Sequence, residues 1–475
     1  MKRLLATASI LVLAACDLAP DYQPPSIAMP ANYKEAGNWQ PARPADDIPR
    51  GAWWKIFNNP ELNDLEDQVT SANQNLKAAL ANYEQARDVA QQARADYFPL
   101  ITADTGASRN QASFNTADHG TKRRYNDYLV ESDLSYELDV WGKVRNNVKA
   151  NEALADASKA DLETISLSLH AELASDYFAL RGDDAAQQVL DETVKDFTRA
   201  LKLTQNQHAG GIVPGADVDT AQAQLESAKT QAEDMRLARA QLEHAIAVLV
   251  GKAPADFSLA AAPLQAPKPI NLPGVPSTLL QQRPDIAAAE RRVAASNAEI
   301  GVARTAYFPD FSLGGGIGLE AANLSHIAEA PSLFWLLGPS AALTIFDGGY
   351  RDAVLAQAHA ANDEAAANYR QTVLTAMQQV EDNLAAQRQL AKEVATAKAA
   401  ADASQRALNH ANDRYTEGLI TYLDVVVIQD QALNAKLSLT NVATTQAIAQ
   451  VALIKALGGG WQQAPAETQP ANPKP

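Results

Sequence analysis

The chain reads as mainly α with a smaller β part, built as one unit written twice: long coiled-coil hairpins joined to four strands. Three observations predict this. Apolar residues recur in steps of three and four over two stretches of about 65 residues each, the signature of a helical seam. Other segments alternate apolar and acidic residues with a period of two. Several of these patterns reappear a little over 200 positions later. The 47% hydrophobic content of the 475 residues excludes wholesale disorder. A net charge of −16 argues against nucleic acid as a partner, because phosphate binding needs clustered Lys and Arg. A single cysteine excludes a disulfide framework and a cysteine zinc site.

The N-terminus sets the compartment. Lys2 and Arg3 precede an apolar run that ends Leu13-Ala14-Ala15-Cys16. The run is too short to remain as a transmembrane helix and reads as a secretory signal, 1–15. Its end resembles a bacterial lipobox, which makes Cys16 the lipidated first residue of the mature chain; the other reading is an ordinary signal peptide that contains a cysteine. No cofactor is expected beyond this covalent lipid. Asp17 occupies the position that holds some lipoproteins at the inner membrane. After residue 15 the sequence shows no apolar run near the ~20 residues of a transmembrane helix, so any crossing must use a closed β-barrel.

The first copy opens with a helix over 62–97, rich in Ala, Gln, Glu and Leu, which Pro99 stops. A strand pair follows, weakly marked at 101–114. Its second member is clear: Tyr128, Val130, Leu134, Tyr136, Leu138 and Val140 alternate with Glu131, Asp133, Ser135, Glu137 and Asp139. Glu131, Asp133, Glu137 and Asp139 therefore form one acidic face. A helix over 142–208 comes next, with a seam at Leu162, Ile165, Leu169, Leu173, Tyr177 and Leu180, then at Leu190, Val194, Phe197 and Leu201. It turns near Gly211 and returns over 216–250. The second copy repeats the order: Phe311 to Leu319 alternate, 333–346 reads as the partner strand, 350–415 is the long helix, Gly418 marks the turn, and 422–457 returns. Ala93 to Pro99 matches Ala303 to Pro309 at an offset of 303 − 93 = 210, and Gly211 matches Gly418 at 207. The expected organisation is a lipidated N-terminal extended segment 16–58, a first repeat 59–250, a Pro-rich linker 251–284, a second repeat 285–461 and a disordered tail 462–475.

Four strands cannot close a barrel, yet their apolar faces and open edges need cover. The economical solution pools strands from several chains into one barrel and their helices into one tube, with the acidic face lining a wet lumen. A soluble β-domain packed on the helices is the other arrangement. Catalysis is not expected. The seven histidines are scattered without a metal-protease spacing, and Gly314-Gly315-Gly316-Ile317-Gly318 misses the dinucleotide fingerprint.

At Pro20-Asp21-Tyr22, Trp53-Trp54 with Phe57, Asn59-Pro60-Glu61-Leu62 and the run from Leu134 to Gly142, the chain resembles the TolC-like outer membrane factor family. The resemblance is to its lipoprotein branch, the OprM/NodT type. Arg283-Pro284-Asp285-Ile286, Phe346-Asp347-Gly348-Gly349 and Leu457-Gly458-Gly459-Gly460-Trp461 extend it through the second copy. The resemblance implies a homotrimer: a trimeric α-helical barrel joined to a shared transmembrane β-barrel with four strands per protomer, set in the lipid of the cell outer membrane. It implies an efflux duct for drugs and other xenobiotics that works with a periplasmic adaptor protein and an inner-membrane pump of the RND type. Alternatives are an exit duct for type I protein secretion, or a lipid-anchored periplasmic scaffold without a pore.

The same resemblance places a gate at the hairpin tips. Leu423 becomes an apolar constriction, Asp424 a member of an acidic ring, and Tyr415 a tyrosine that helps hold the closed state. Asp217, the counterpart of Asp424, is expected to bond to a neighbouring hairpin. Three close carboxylates repel, so the ring should titrate high and attract cations. Val427 stands where relatives often carry a second aspartate, and Ile420 where TolC has an arginine. Gly211, Ile212, Val213, Gly418, Leu419 and Ile420 form the tips on which the adaptor would dock.

Overall fold

The computed structural model describes residues 17–28, 33–35, 51–113, 115, 124–265, 267 and 283–459. The signal 1–15, Cys16, residues 29–32 and 36–50 of the N-terminal segment, the greater part of the linker, Trp461 and the tail 462–475 lie outside the described residues. Two compact units emerge, and neither follows the repeats. One combines the N-terminal residues to Ile27 with 81–160 and 287–371; the other combines 28–80, 161–286 and 372–475. Each takes its pieces from both copies.

The first unit holds the sheet. Helix α2 (Gln74–Ala95) leads to β1 (Leu100–Gln111) and β2 (Arg124–Glu137), then helix α3 starts at Lys143 and runs to Ala209. In the second copy α5 (Pro284–Thr305) leads to β3 (Asp310–Ala321) and β4 (Leu333–Ala342), and α6 runs Tyr350–Thr416. The order is β1-β2-β3-β4, antiparallel throughout. β1 and β4 are thus the open edges. One face carries Ile101, Val130, Ile317 and Trp335, all exposed, Trp335 at 73%. β4 is apolar on both faces from Leu333 to Leu337, so the alternation fails there.

The expected single helix over 62–97 is two: α1 (Pro60–Ala72) and α2. Asn73 between them is extended. Its side chain accepts from the Leu76 N–H at 3.0 Å and donates to the Leu249 carbonyl at 2.8 Å. An asparagine with these partners ends one helix and caps the next, which the helix-forming composition around it conceals.

In the second unit α4 (Gly215–Leu249) and α7 (Tyr422–Ala456) return from the tips. The core gathers Leu62, Leu65 and Val69 of α1, Leu169, Leu173 and Leu180 of α3, Ile246 of α4 and Val451 of α7. The seam of α3 is buried from Leu169 onward except at half-buried Val194, whereas Ile165 is exposed. Inside this core His170 Nδ1 lies 2.5 Å from the Glu66 carboxyl, and the Trp54 ring stacks on the imidazole at 4.3 Å. Burial pushes Glu66 up to about 9 and His170 down to about 4. The linker begins as held chain: Arg239 donates to the Leu259 carbonyl, and the Ala262 N–H donates to Asp184.

α7 is long and apolar enough, by length and composition, to cross a membrane. Its Ala, Val and Leu serve packing instead. They are buried at Val425, Val426, Leu433, Val442 and Val451, while its exposed line beyond Val427 reads Gln431, Asn434, Ser438, Asn441 and Thr445.

Candidate gate at the hairpin tips

Each long helix stops at a glycine for a geometric reason. Gly211 and Gly418 have φ of +74° and +75°, a conformation that costs other residues about 1 kcal/mol. At the first tip the Gly211 N–H donates to the His208 carbonyl and the Ile212 N–H to that of Gln207, both at 2.9 Å. At the second, Gly418 donates to Tyr415 at 3.0 Å and Leu419 to Arg414 at 2.9 Å. These paired bonds are the Schellman closure, which satisfies the orphan carbonyls of a helix end. It turns apolar side chains outward: Ile212 is 74% exposed and Leu419 63%. Val213 and Ile420 are half-buried beside them.

The return helices start differently. Thr421 caps α7 with a full capping box: its hydroxyl accepts from the Asp424 N–H at 3.3 Å, and its own N–H donates to the Asp424 carboxylate at 2.9 Å. The Thr421 hydroxyl also donates to that carboxylate at 2.7 Å. These bonds, with Arg414 nearby, hold Asp424 below the usual carboxylate range. Within one chain the box thus supplies this carboxylate with donors of its own. Pro214 caps α4 with no side-chain bond, and proline has no N–H to offer the third residue of the helix. Asp217 stands at that third position with its carboxylate outside any box. Its charge instead reaches Tyr415 and Tyr422, whose hydroxyls are raised first by burial and further by this neighbour, Tyr422 to about 12.

Tyr415 bridges the two hairpins of one chain. Its hydroxyl donates to Gln207 Oε1 on α3 at 2.8 Å, and its ring lies 5.6 Å from that of Tyr422. Below it Phe197, Leu201, Leu225, Tyr422 and Val426 form a buried cluster. Leu423, one position along α7, faces outward at 64% exposure, with Val427 exposed one turn later. The tip thus brings Tyr415, Asp217 and Tyr422 together, and leaves Leu423 and Asp424 on an open face. Gln207, Tyr422 and Thr421 were absent from the expected set. Only Thr421 had a sequence signal, the Thr-x-x-Asp pattern of a capping box.

The acidic strand face is partly redrawn. Glu131 and Asp133 lie within β2 on one face, and the register sets Asp104 of β1 directly opposite Glu131. On the other side Gly318 and Gly316 face them; a Cβ at Gly318 would sit 2.6 Å from the Val130 carbonyl. Glu137 is the last residue of β2 and pairs with Lys143 at 3.0 Å. Asp139 is not on the strand. Its carboxylate accepts the N–H groups of Val144 and Arg145 at 3.0 Å and pairs with the Arg145 guanidinium, so it caps α3. Asp17 is likewise bound. Burial would raise it, but Lys149 at 2.6 Å, Asn146 at 2.8 Å and the Ala19 N–H hold it down at about 2. From there residues 18, 20 and 22 meet Arg304, Asn297 and Glu290 in turn, antiparallel to α5.

An open-edged sheet with an exposed apolar face, carried on helices some 100 Å long, defines an outer-membrane channel protein. Residues 65–252 and 275–459 match the family described as outer membrane efflux protein, and the chain belongs to that family. It is 31% identical over 470 residues to the probable efflux pump outer membrane protein TtgC of Pseudomonas putida, covering 97% of this chain and 96% of that one. It is 31% identical over 456 residues to the outer membrane protein OprJ of Pseudomonas aeruginosa, covering 95% of each. The solved CmeC outer membrane channel of Campylobacter jejuni superposes with a TM-score of 0.88 at 28% identity, over 95% of this chain and 96% of that one. The protein is an outer-membrane efflux channel.

Proposed function

We propose that three copies of this chain form one passive exit duct, lipid-anchored through Cys16, that carries small molecules such as drugs and other xenobiotics out of the cell. The observation that carries this reading is the open sheet. Four strands leave β1 and β4 unpaired at their outer edges, and three such sheets joined edge to edge close a barrel whose apolar face meets lipid. The hairpin tips, with Leu423 and Asp424 on their open face, form the gate. It opens when a periplasmic adaptor docks on Gly211 to Val213 and Gly418 to Ile420 and brings in an inner-membrane pump of the RND type. That the relative TtgC is a probable efflux pump outer membrane protein supports the assignment of partners.

Purified full-length protein in planar bilayers tests the duct. Discrete conductance steps are expected, and a silent bilayer would leave only a scaffold. In a deletion strain, drug hypersensitivity without loss of a secreted protein separates small-molecule efflux from protein export. Cys16→Ser should abolish lipid labelling yet leave trimers on native gels; loss of trimers would mean that the anchor comes before the barrel.

A further inference from the structure

Beside the Tyr415–Tyr422 pair, α3, α6 and α7 fail to close and leave a cavity of about 390 Å³. That is the size of a site for a small organic molecule. Phe197, Leu408 and Leu433 give it apolar walls, and the two tyrosine rings line one end. Two amide oxygens in its lining have no hydrogen-bond partner within the chain: Gln405 Oε1 on α6 and Gln429 Oε1 on α7. Gln429 is only 9% exposed. The Gln405 amide nitrogen is already committed to Asn409 at 3.0 Å, so its oxygen is the group left over. An acceptor buried without a donor costs about 1–3 kcal/mol, and two in one cavity call for an occupant that donates twice.

We infer that this cavity is a binding site for a neutral aromatic molecule carrying two N–H or O–H donors, such as an aryl urea, anilide or bisphenol. The charges in the lining argue against a cation. Asp196 is paired with Arg199, which leaves Lys436 as the unbalanced charge and makes the cavity repel positive ligands. Flat rings match the tyrosine and phenylalanine walls, and the donors match the two amides. Because the lining comes from α3 on one side and α6 with α7 on the other, an occupant ties the first hairpin to the second beside the Tyr415–Gln207 bond. Binding alone does not depend on the proposed gate; the consequence that an occupant opposes opening rests on that reading.

The probe is 1,3-diphenylurea, titrated by calorimetry into the detergent-purified full-length protein, with its N,N′-dimethyl analogue as a donorless control. One saturable site per chain is expected. The dimethyl analogue and the Gln405→Leu, Gln429→Leu double variant should each bind at least tenfold more weakly. Leu408→Trp, on the half-buried wall, should abolish binding by filling the space. Gln429→Leu alone should raise the melting temperature, since it removes an unpaired buried acceptor, and this shows that the variant folds. Non-saturable uptake, or equal affinity in wild type and the double variant, overturns the site. Saturable binding that leaves single-channel conductance unchanged keeps the site and rejects its link to the gate.

Discussion

In the first hairpin α3 and α4 run 67 and 35 residues; in the second, α6 and α7 run 67 and 35. Each boundary of the second pair follows the first by 207 positions: 350 − 143, 416 − 209, 422 − 215 and 456 − 249. Both tips close on the same pair of bonds around a left-handed glycine. They then part company at one residue, Pro214 against Thr421, and this substitution frees Asp217 while it ties Asp424 into its own helix. A second pair at the far ends of the return helices shows the same habit. Asn73 donates to the Leu249 carbonyl at 2.8 Å, and Arg283 donates to the Ala456 carbonyl at 2.7 Å. One helix-end carbonyl is satisfied in both copies, by different chemistry. The halves share what backbone hydrogen bonding dictates, and differ in the side chains that decide what each end does.

That difference can be broken experimentally. The largest effect is expected from Tyr415→Ala, which removes the bond to Gln207 and the packing on Tyr422 together; single-channel conductance should rise several-fold. If Asp217→Ala opens the channel further than Tyr415→Ala does, the first tip is the gate. Asp424→Ala should give a smaller rise in conductance and weaker block by divalent cations, and unchanged currents with unchanged block would remove it from the acidic ring. In the wild type that block should persist at pH values where an ordinary carboxylate has begun to protonate, since the capping box holds Asp424 low. Thr421→Ala should cost about 1 kcal/mol and speed hydrogen exchange in the first turn of α7. Pro214→Ser should slow exchange in the first turn of α4, because it restores both halves of a box with Asp217.

A separate asymmetry lies away from the tips, in the buried Glu66–His170 pair of the first copy. Glu66 keeps its proton to about pH 9 in the folded chain but releases it near its ordinary value when unfolded. Its contribution is therefore complete below about pH 4.5 and is lost as pH rises toward 9. His170, held at about 4, adds a loss in the opposite direction as pH falls from its ordinary value. Glu66→Gln keeps a donor for the imidazole, so thermal melts of this variant should lose the alkaline slope and keep the acidic one.

Long helices and most strands were legible because their periods survive locally. The expected 142–208 and 350–415 lie within a residue of α3 and α6 at either end. β1 was faint because Thr102, Asp104 and Ser108 share it with Ala103 and Gly106, and its faces differ little in polarity. Asp139 was misplaced because it continues the alternation of β2 beyond its end; only the start of α3 shows that its carboxylate is needed as a cap. The apolar content of α7 was diluted in the sequence by Gln, Asn and Thr, and emerged only once those residues were seen to share one exposed line. Of the tip, the glycines and Tyr415 could be found in advance, whereas Gln207, more than 200 positions from its partner, could not.

The sequence by itself determined the elements, their duplication and the polarity of their faces, since all three are short-range: helical period, strand alternation and glycine conformation act within a few residues. Tertiary structure decided which groups meet. It took pieces of both copies into each compact unit, set Asp104 across from Glu131, drew Asp217 toward the tyrosines and left Gln405 and Gln429 without donors. Such pairings depend on which face each helix or strand turns to a neighbour far away in the chain, a long-range packing result that no local pattern encodes.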